Sequence, residues 1–290
     1  MAASNTPEPD YTVRPAWSAQ FDDDARQALT SAGPLGRITR EWAWGGSTGC
    51  GVRVAVIDSG IEADHPALDD AVRGGVIVEY DRRTKTQTRL VDDPTPRDLF
   101  GHGTACAGII HALAPEAELY SVRVFSRDLS GKALQFAGGV RWAIDNGMQV
   151  ANLSLSTSLR EYYALFHELA DDAYFQGLVL VSAVNNIPTA SYPSLYASVI
   201  SVAAHAGQGP FTYYYNPSPP VEFGAPGIDV EVPWVHKQTV TSTGNSFAAP
   251  HIAGIVALIR AKHPELTPFQ VKTVLLACAS NTRPVDGEKP

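Results

Sequence analysis

The chain has 290 residues, 44% hydrophobic and 18% charged, enough to bury the core of a globular domain. Its formal net charge of -8, with basic residues scattered apart from short pairs such as Arg82-Arg83, argues against a nucleic-acid partner, and no apolar stretch is long and unbroken enough to span a bilayer. Cys50, Cys106 and Cys278 are an odd number without framework spacing, so reduced thiols are expected, and the opening MAASNTPEPDYTVRP has neither a basic leader nor an apolar run, so the expected setting is cytoplasmic.

Residues 1–25, rich in Pro, Ser, Thr and Asp, read as a flexible N-terminal arm, and residues 26–290 as a single domain. A helical stretch near Asp24 to Trp42 leads through GGSTGCG into a strand, Val52 to Ile57. That glycine run precedes its strand and lacks the Lys-Ser/Thr ending of a phosphate cradle, which argues against nucleotide binding. Further strands are predicted at Val76 to Tyr80, Glu118 to Val124, Val150 to Leu155, Leu178 to Val184 and Val199 to Ala203, each short, apolar and often β-branched. Helices are predicted at Thr104 to Leu113, Lys132 to Asn146, Glu161 to Gln176, Phe247 to Lys262 and Pro268 to Cys278. Gly147 and Gly177 read as stops, and Thr267-Pro268 as an N-cap followed by a first-turn proline. Alternation of this kind predicts an α/β fold, a doubly wound and mostly parallel sheet with helices on both faces.

In such a sheet the cleft lies beyond the carboxyl ends of the strands. Asp58 follows one strand in VRVAVIDSG, while His102 in GHGTACAG and Ser246 in STGNSFAAPHIAG each begin a helix. A serine hydroxyl needs an imidazole to take its proton and a carboxylate to orient that imidazole, and these three side chains supply the set. Singly, each has a bland reading: a turn aspartate, a capping histidine, a capping serine. Three extended motifs in this order are hard to obtain by chance.

The order and the surrounding words resemble the subtilisin-like serine proteases, or subtilases, from about Gly51 to Cys278. The resemblance implies Ser246 as nucleophile, His102 as general base and then acid, and Asp58 as the partner of the imidazolium. It also implies an oxyanion hole shared between the serine N–H and an asparagine amide. The matching stretch, GLVLVSAVNN, puts Asn186 rather than Asn185 at that place, with Asn185-Asn186 where the family usually has Gly-Asn. NLSLST resembles the strand edge that pairs with an extended peptide, making Ser154, Leu155 and Ser156 substrate-contact candidates, with Leu99 and Phe100 lining the pocket beside His102. Ser156 and Thr157 stand where the family commonly has glycines, which narrows the cleft. Tyr192-Pro193 resembles a family position with a cis peptide bond.

Cys106, four residues after His102, reads as a small buried hydrophobe, although a Cys-His dyad is the alternative; kexin-like subtilases also carry cysteine there. GHGTACAGIIHALAPEAELY is too short for the family's calcium loop, so no metal or other cofactor is expected. Only about fifty residues precede the first core strand, too few for the family's usual leader and propeptide, which points to processing of a particular peptide or protein instead of general degradation. Two other functions fit the same residues: a peptide transamidase or macrocyclase, and a non-catalytic peptide-binding module. The expected partner is a peptide or protein substrate, with no nucleic acid and no membrane.

Overall fold

The computed structural model describes residues 38–282 except 82, 85 and 208. The predicted arm, and most of the stretch expected to be helical from Asp24 to Trp42, lie outside them; among the described residues Ile38 and Thr39 are not helical, and a short helix, α1 (Arg40–Trp44), starts after Thr39 as an extended N-cap, so the expected helix does not run on through this point. In chain order there follow β1 (Arg53–Asp58), β2 (Val72–Tyr80), β3 (Thr88–Asp92), α2 (His102–Leu113), β4 (Glu118–Arg123), α3 (Ala133–Asp145), β5 (Val150–Leu153), α4 (Tyr163–Phe175), β6 (Val179–Ala183), β7 (Ile200–His205), β8 (Tyr214–Tyr215), β9 (Phe223–Pro226), β10 (Val230–Trp234), β11 (Gln238–Ser242), α5 (Asn245–Lys262) and α6 (Pro268–Cys278).

Nine strands form one sheet in the order β3-β2-β4-β1-β5-β6-β7-β9-β8. Its centre is parallel, and only the edge pairs β2–β3 and β8–β9 are antiparallel. The fold is thus the α/β, doubly wound class expected. Between Arg53 and Asp58, β1 is an unbroken apolar run because both its faces are covered. On one face Ala55 and Ile57 join Val122, Leu153 and Leu180 beneath Phe136 of α3 and Phe166 of α4, whose rings meet at 4.7 Å. Each such ring, fully buried, contributes about 1.5–3 kcal/mol. Helices α2 and α5 pack together and against the sheet, α5 crossing β5, β6, β7 and β9.

Local signals set the ends of these elements. Thr267 Oγ1 accepts from Gln270 N–H and Gln270 Oε1 accepts from Thr267 N–H, closing a capping box at the start of α6. Gly147 (φ 60°) and Gly177 (φ 78°) stop α3 and α4 in the left-handed region.

Strand β2 begins four residues earlier than Val76, its first expected residue, because Gly74-Gly75 continue the strand and do not break it. A Cβ at Gly75 would collide with the Ser121 carbonyl of β4, so glycine is what lets the two strands approach. The small sheet β10–β11 was not predicted, and it matters to the site. Val232 of β10 packs with Ala105, Ile109 and Leu113 of α2 and with Phe247 of α5, so this hairpin wedges the two helices that begin at the cleft.

Candidate active site

After Arg53, β1 is apolar up to its last residue, Asp58. Its carboxylate is fully buried, where an unpaired charge is heavily penalised. It accepts hydrogen bonds from Ser59 N–H at 2.7 Å and from His102 Nδ1, whose distances to the two carboxylate oxygens are 2.8 and 2.9 Å. His102 opens α2. Gly101 before it has φ 124°, and a Cβ there would run into the Trp234 indole, so the turn into the helix needs glycine on both counts. Held to Asp58 through Nδ1–H, the neutral imidazole presents Nε2 as its acceptor. Burial disfavours charge on this ring, but the charge and hydrogen bond of Asp58, aided by the Asp98 charge, outweigh burial and raise its pKa above the ordinary histidine value.

Asp98 was not singled out from the sequence. Its carboxylate accepts from Ser59 Oγ (2.8 Å), Phe100 N–H (2.9 Å), Gly101 N–H (2.8 Å), Thr104 N–H (2.8 Å) and Thr104 Oγ1 (2.7 Å). Gly101 offers α2 no side-chain cap, so Asp98 satisfies the orphan donors at that helix start instead. An aspartate a few residues before a helix that opens without a Ser, Thr, Asp or Asn cap is the signal that could have found it.

Ser246 is the second residue of α5. Pro250, four residues on, has no N–H, which leaves the Ser246 carbonyl without its helical partner. Ser154 Oγ donates to that carbonyl at 2.7 Å, and Cys106 Sγ approaches it at 3.6 Å. Ser154 in turn accepts from Asn152 Nδ2 at 2.9 Å, so a chain of polar groups reaches from β5 to the serine backbone. A Cβ on Gly244 would stand 3.3 Å from Ser246 Oγ, so a side chain there would crowd the hydroxyl. Ser246 and His102 line one cleft of about 650 Å³, with the His102 ring 5.3 Å from the Phe247 ring. Among the described residues no hydrogen bond joins Ser246 Oγ to His102; such contacts commonly tighten only with substrate.

Asn186 also lines the cleft, and its Oδ1 accepts from Asn245 N–H at 3.0 Å. Its Nδ2 has no hydrogen-bond partner among the described residues. Asn185 Oδ1 is committed to Ile187 N–H at 2.9 Å, a local turn, which separates the roles of the two asparagines. Of the substrate-contact candidates, Ser154, Leu155, Ser156 and Phe100 line the cleft. Leu99 is a correction: it is not among the residues that line the cleft, because the chain bends here around the Asp98 carboxylate, which accepts from Phe100 and Gly101 N–H, so that Phe100 takes the place beside His102 while Leu99 N–H is spent on Ser59 O. Trp234, from the unpredicted hairpin, lines the cleft and meets Phe100 edge-on at 5.6 Å. The Tyr192–Pro193 peptide is cis, as expected.

Cys106 is buried with its Sγ 3.8 Å from Asp58 Oδ2. Burial, reinforced by the Asp58 and Asp98 charges, pushes its thiol pKa well above the ordinary value, so it is neither a ready nucleophile nor a ready ligand. Asp58, His102 and Cys106 are the one cluster with metal-ligand spacing among the described residues, and the Asp58–His102 bond already occupies it.

His251, in the second turn of α5, donates its Nδ1–H to the Phe247 carbonyl one turn back at 2.9 Å. Burial pushes its pKa down to about 4, the Phe247 bond opposing and the His205 charge assisting. The unfolded chain therefore takes up this proton near pH 6.5 while the folded chain waits until about pH 4, so stability falls as pH falls through that window, by on the order of 3 kcal/mol. Urea unfolding at pH 7 and pH 4.5 should show a smaller loss for His251→Gln than for the wild type. Equal losses would refute the assignment.

The sequence profile of the Subtilase family matches residues 49–288. The thermostable alkaline protease of Halalkalibacterium halodurans is 36% identical over 239 residues, covering 78% of this chain and 62% of that protein. M-protease of Shouchella clausii is 34% identical over 79% of this chain and 59% of its own length, and Subtilisin BL of Lederbergia lenta is 33% identical over 81% and 86%. The chain thus spans about three fifths of the first two relatives. Among solved structures, a cold adapted subtilisin-like serine proteinase superposes with a TM-score of 0.65 at 27% identity, over 82% of this chain and 87% of the other. Family profile, relatives and superposition agree with the motifs and the cleft: the chain belongs to the subtilase family.

Proposed function

We propose that the protein is a serine endopeptidase working through an acyl-enzyme. The observation that carries this reading is the buried Asp58–His102 pair facing Ser246 in a single cleft. Ser246 Oγ attacks the scissile carbonyl while His102 Nε2 takes the hydroxyl proton, and Asp58 stabilises the imidazolium so formed. The oxyanion is received by Asn186 Nδ2 and the Ser246 N–H at the start of α5. His102 then returns its proton to the departing amine, and water, activated in the same way, releases the acyl group.

The substrate is a peptide laid along residues 154–156, beyond the paired span of β5. Thr157 and Tyr192 exchange two backbone hydrogen bonds, 3.0 and 2.8 Å, which tie that wall to the segment after β6. A cleft so walled, with side chains at Ser156 and Thr157, supports a restricted set of cleavage sites in a particular peptide or protein. No calcium is expected between α2 and β4, where the connection is four residues and its one carboxylate, Glu116, accepts from Thr48 Oγ1. Three free thiols, two of them buried, support a cytoplasmic setting.

Digestion of unfolded casein tests this reading. The expected result is cleavage at a few bonds, each pair of products together heavier than the parent by one water. Rapid cleavage at many unrelated bonds would overturn the restricted specificity, and products joined through a new amide would mean transamidation.

A further inference from the structure

Asn245 makes four hydrogen bonds where α5 begins, and none of them touches the space a substrate would fill. Its backbone N–H donates to Asn186 Oδ1 at 3.0 Å. Its side-chain Nδ2 donates to the carbonyls of Val184 (3.3 Å) and Asn185 (3.1 Å), the two residues that lead into Asn186. Its Oδ1 accepts from Ala204 N–H of β7 at 2.8 Å. One side chain therefore joins the helix start that carries Ser246, the segment that carries Asn186, and the neighbouring strand.

The chemistry explains why asparagine stands there. The place asks for an acceptor toward Ala204 and two donors toward Val184 and Asn185, and a short carboxamide supplies both at once. The N-cap residue, Gly244, has no side chain to cap the helix, so the first helical N–H is spent on Asn186 Oδ1. That bond fixes which end of the Asn186 amide faces away from the helix backbone. Pinned through its oxygen, Asn186 can offer only Nδ2 to a developing charge, next to the Ser246 N–H, the following donor along the helix. The Asn186 side chain is exposed and, among the described residues, has no other hydrogen bond, so its orientation depends on this bracket.

We infer that Asn245 is a positioning residue that sets the spacing between the two oxyanion donors, Ser246 N–H and Asn186 Nδ2. The inference rests on the acyl-transfer reading above. It makes the oxyanion hole a product of the residue preceding the serine as well as of the asparagine itself.

The test uses the full chain with p-nitrophenyl acetate, an acyl donor that needs no specificity pocket, and reads kcat and KM separately. Asn245→Asp keeps the shape and the acceptor but turns an oxygen toward two carbonyls. It is expected to lower kcat roughly 30- to 100-fold with KM changed less than about threefold. Asn186→Ala alone should lower kcat by a factor on the order of hundreds. Placed on Asn186→Ala, Asn245→Asp should then cost less than about threefold more, because the donor it positions is gone. Equal losses in both backgrounds would overturn the inference, as would a rise in KM at constant kcat. If Asn245→Asp does not fold, Asn245→Ser is read by the same cycle. Failure of the acyl-transfer reading itself looks different: wild-type protein would hydrolyse the ester no faster than Ser246→Ala.

Discussion

Ser246→Ala is expected to abolish labelling by a fluorophosphonate probe and to lower kcat for peptide hydrolysis by roughly 10⁶, a scale that is subtilisin's own, a relative of this chain. The loss should be this large because the remaining groups act on an oxygen that is no longer present. His102 keeps its bond to Asp58, yet it has no hydroxyl to deprotonate. The residual rate, still well above that of water alone, would come from the oxyanion donors and from binding.

The same substitution should leave the fold nearly untouched, which makes it a clean experiment. Ser246 Oγ has no hydrogen-bond partner among the described residues, while the Ser246 carbonyl, which holds Ser154, survives in alanine. Thermal midpoints of the two proteins should agree within about two degrees, since surface and cleft changes that break no packing or hydrogen bond stay within about 0.5 kcal/mol. Labelling that persists in Ser246→Ala would move the nucleophile elsewhere and dismantle the proposed chemistry.

The central strands and the Asp58, His102 and Ser246 placements were legible because each rests on a short-range pattern. The run Val54 to Ile57 is apolar throughout because helices cover both faces, and the buried Asp58 that follows it marks the strand end. The edges were less legible. TRLVD of β3 is half exposed and pairs only with β2, so it carries no continuous apolar signal. VEVPW of β10 contains a proline, which argues against a central strand but is tolerated in a two-stranded hairpin. With that hairpin unseen, Trp234 could not be placed beside Phe100.

The supporting residues of the site were hidden for a different reason. Asp98 and Asn245 act on backbone groups that come together only through the fold, and no periodicity records which carbonyl or N–H a polar side chain will meet. Ser154 shows the mixed case. Its motif placed it correctly on the cleft wall, yet its hydroxyl points beneath Ser246 because Pro250 leaves a carbonyl there to be satisfied. Motif reading finds the residue, whereas the direction of its hydrogen bond is a property of the packed structure.

Asp58→Asn is expected to lower kcat by about 10⁴ while leaving the cleft intact, a loss smaller than that of the serine but of a different character. An amide in place of the carboxylate can donate to His102 Nδ1, which puts the ring proton on Nε2, the wrong nitrogen for accepting from Ser246. It also removes the charge that holds the imidazole pKa up, so burial prevails and the pKa falls. In the wild type, activity needs neutral His102 and should rise with pH through a midpoint above the ordinary histidine value of 6.5. In the variant the residual activity should rise at lower pH. Stability carries the matching signature. A raised folded-state pKa stabilises the wild type fully below the unfolded value and is lost as pH rises through the folded one, a dependence that Asp58→Asn should reverse, because with burial prevailing the variant loses stability as pH falls. A pH–rate profile whose acid limb does not move on substitution would show that Asp58 neither charges nor orients the imidazole, and the pair would then be a structural contact alone.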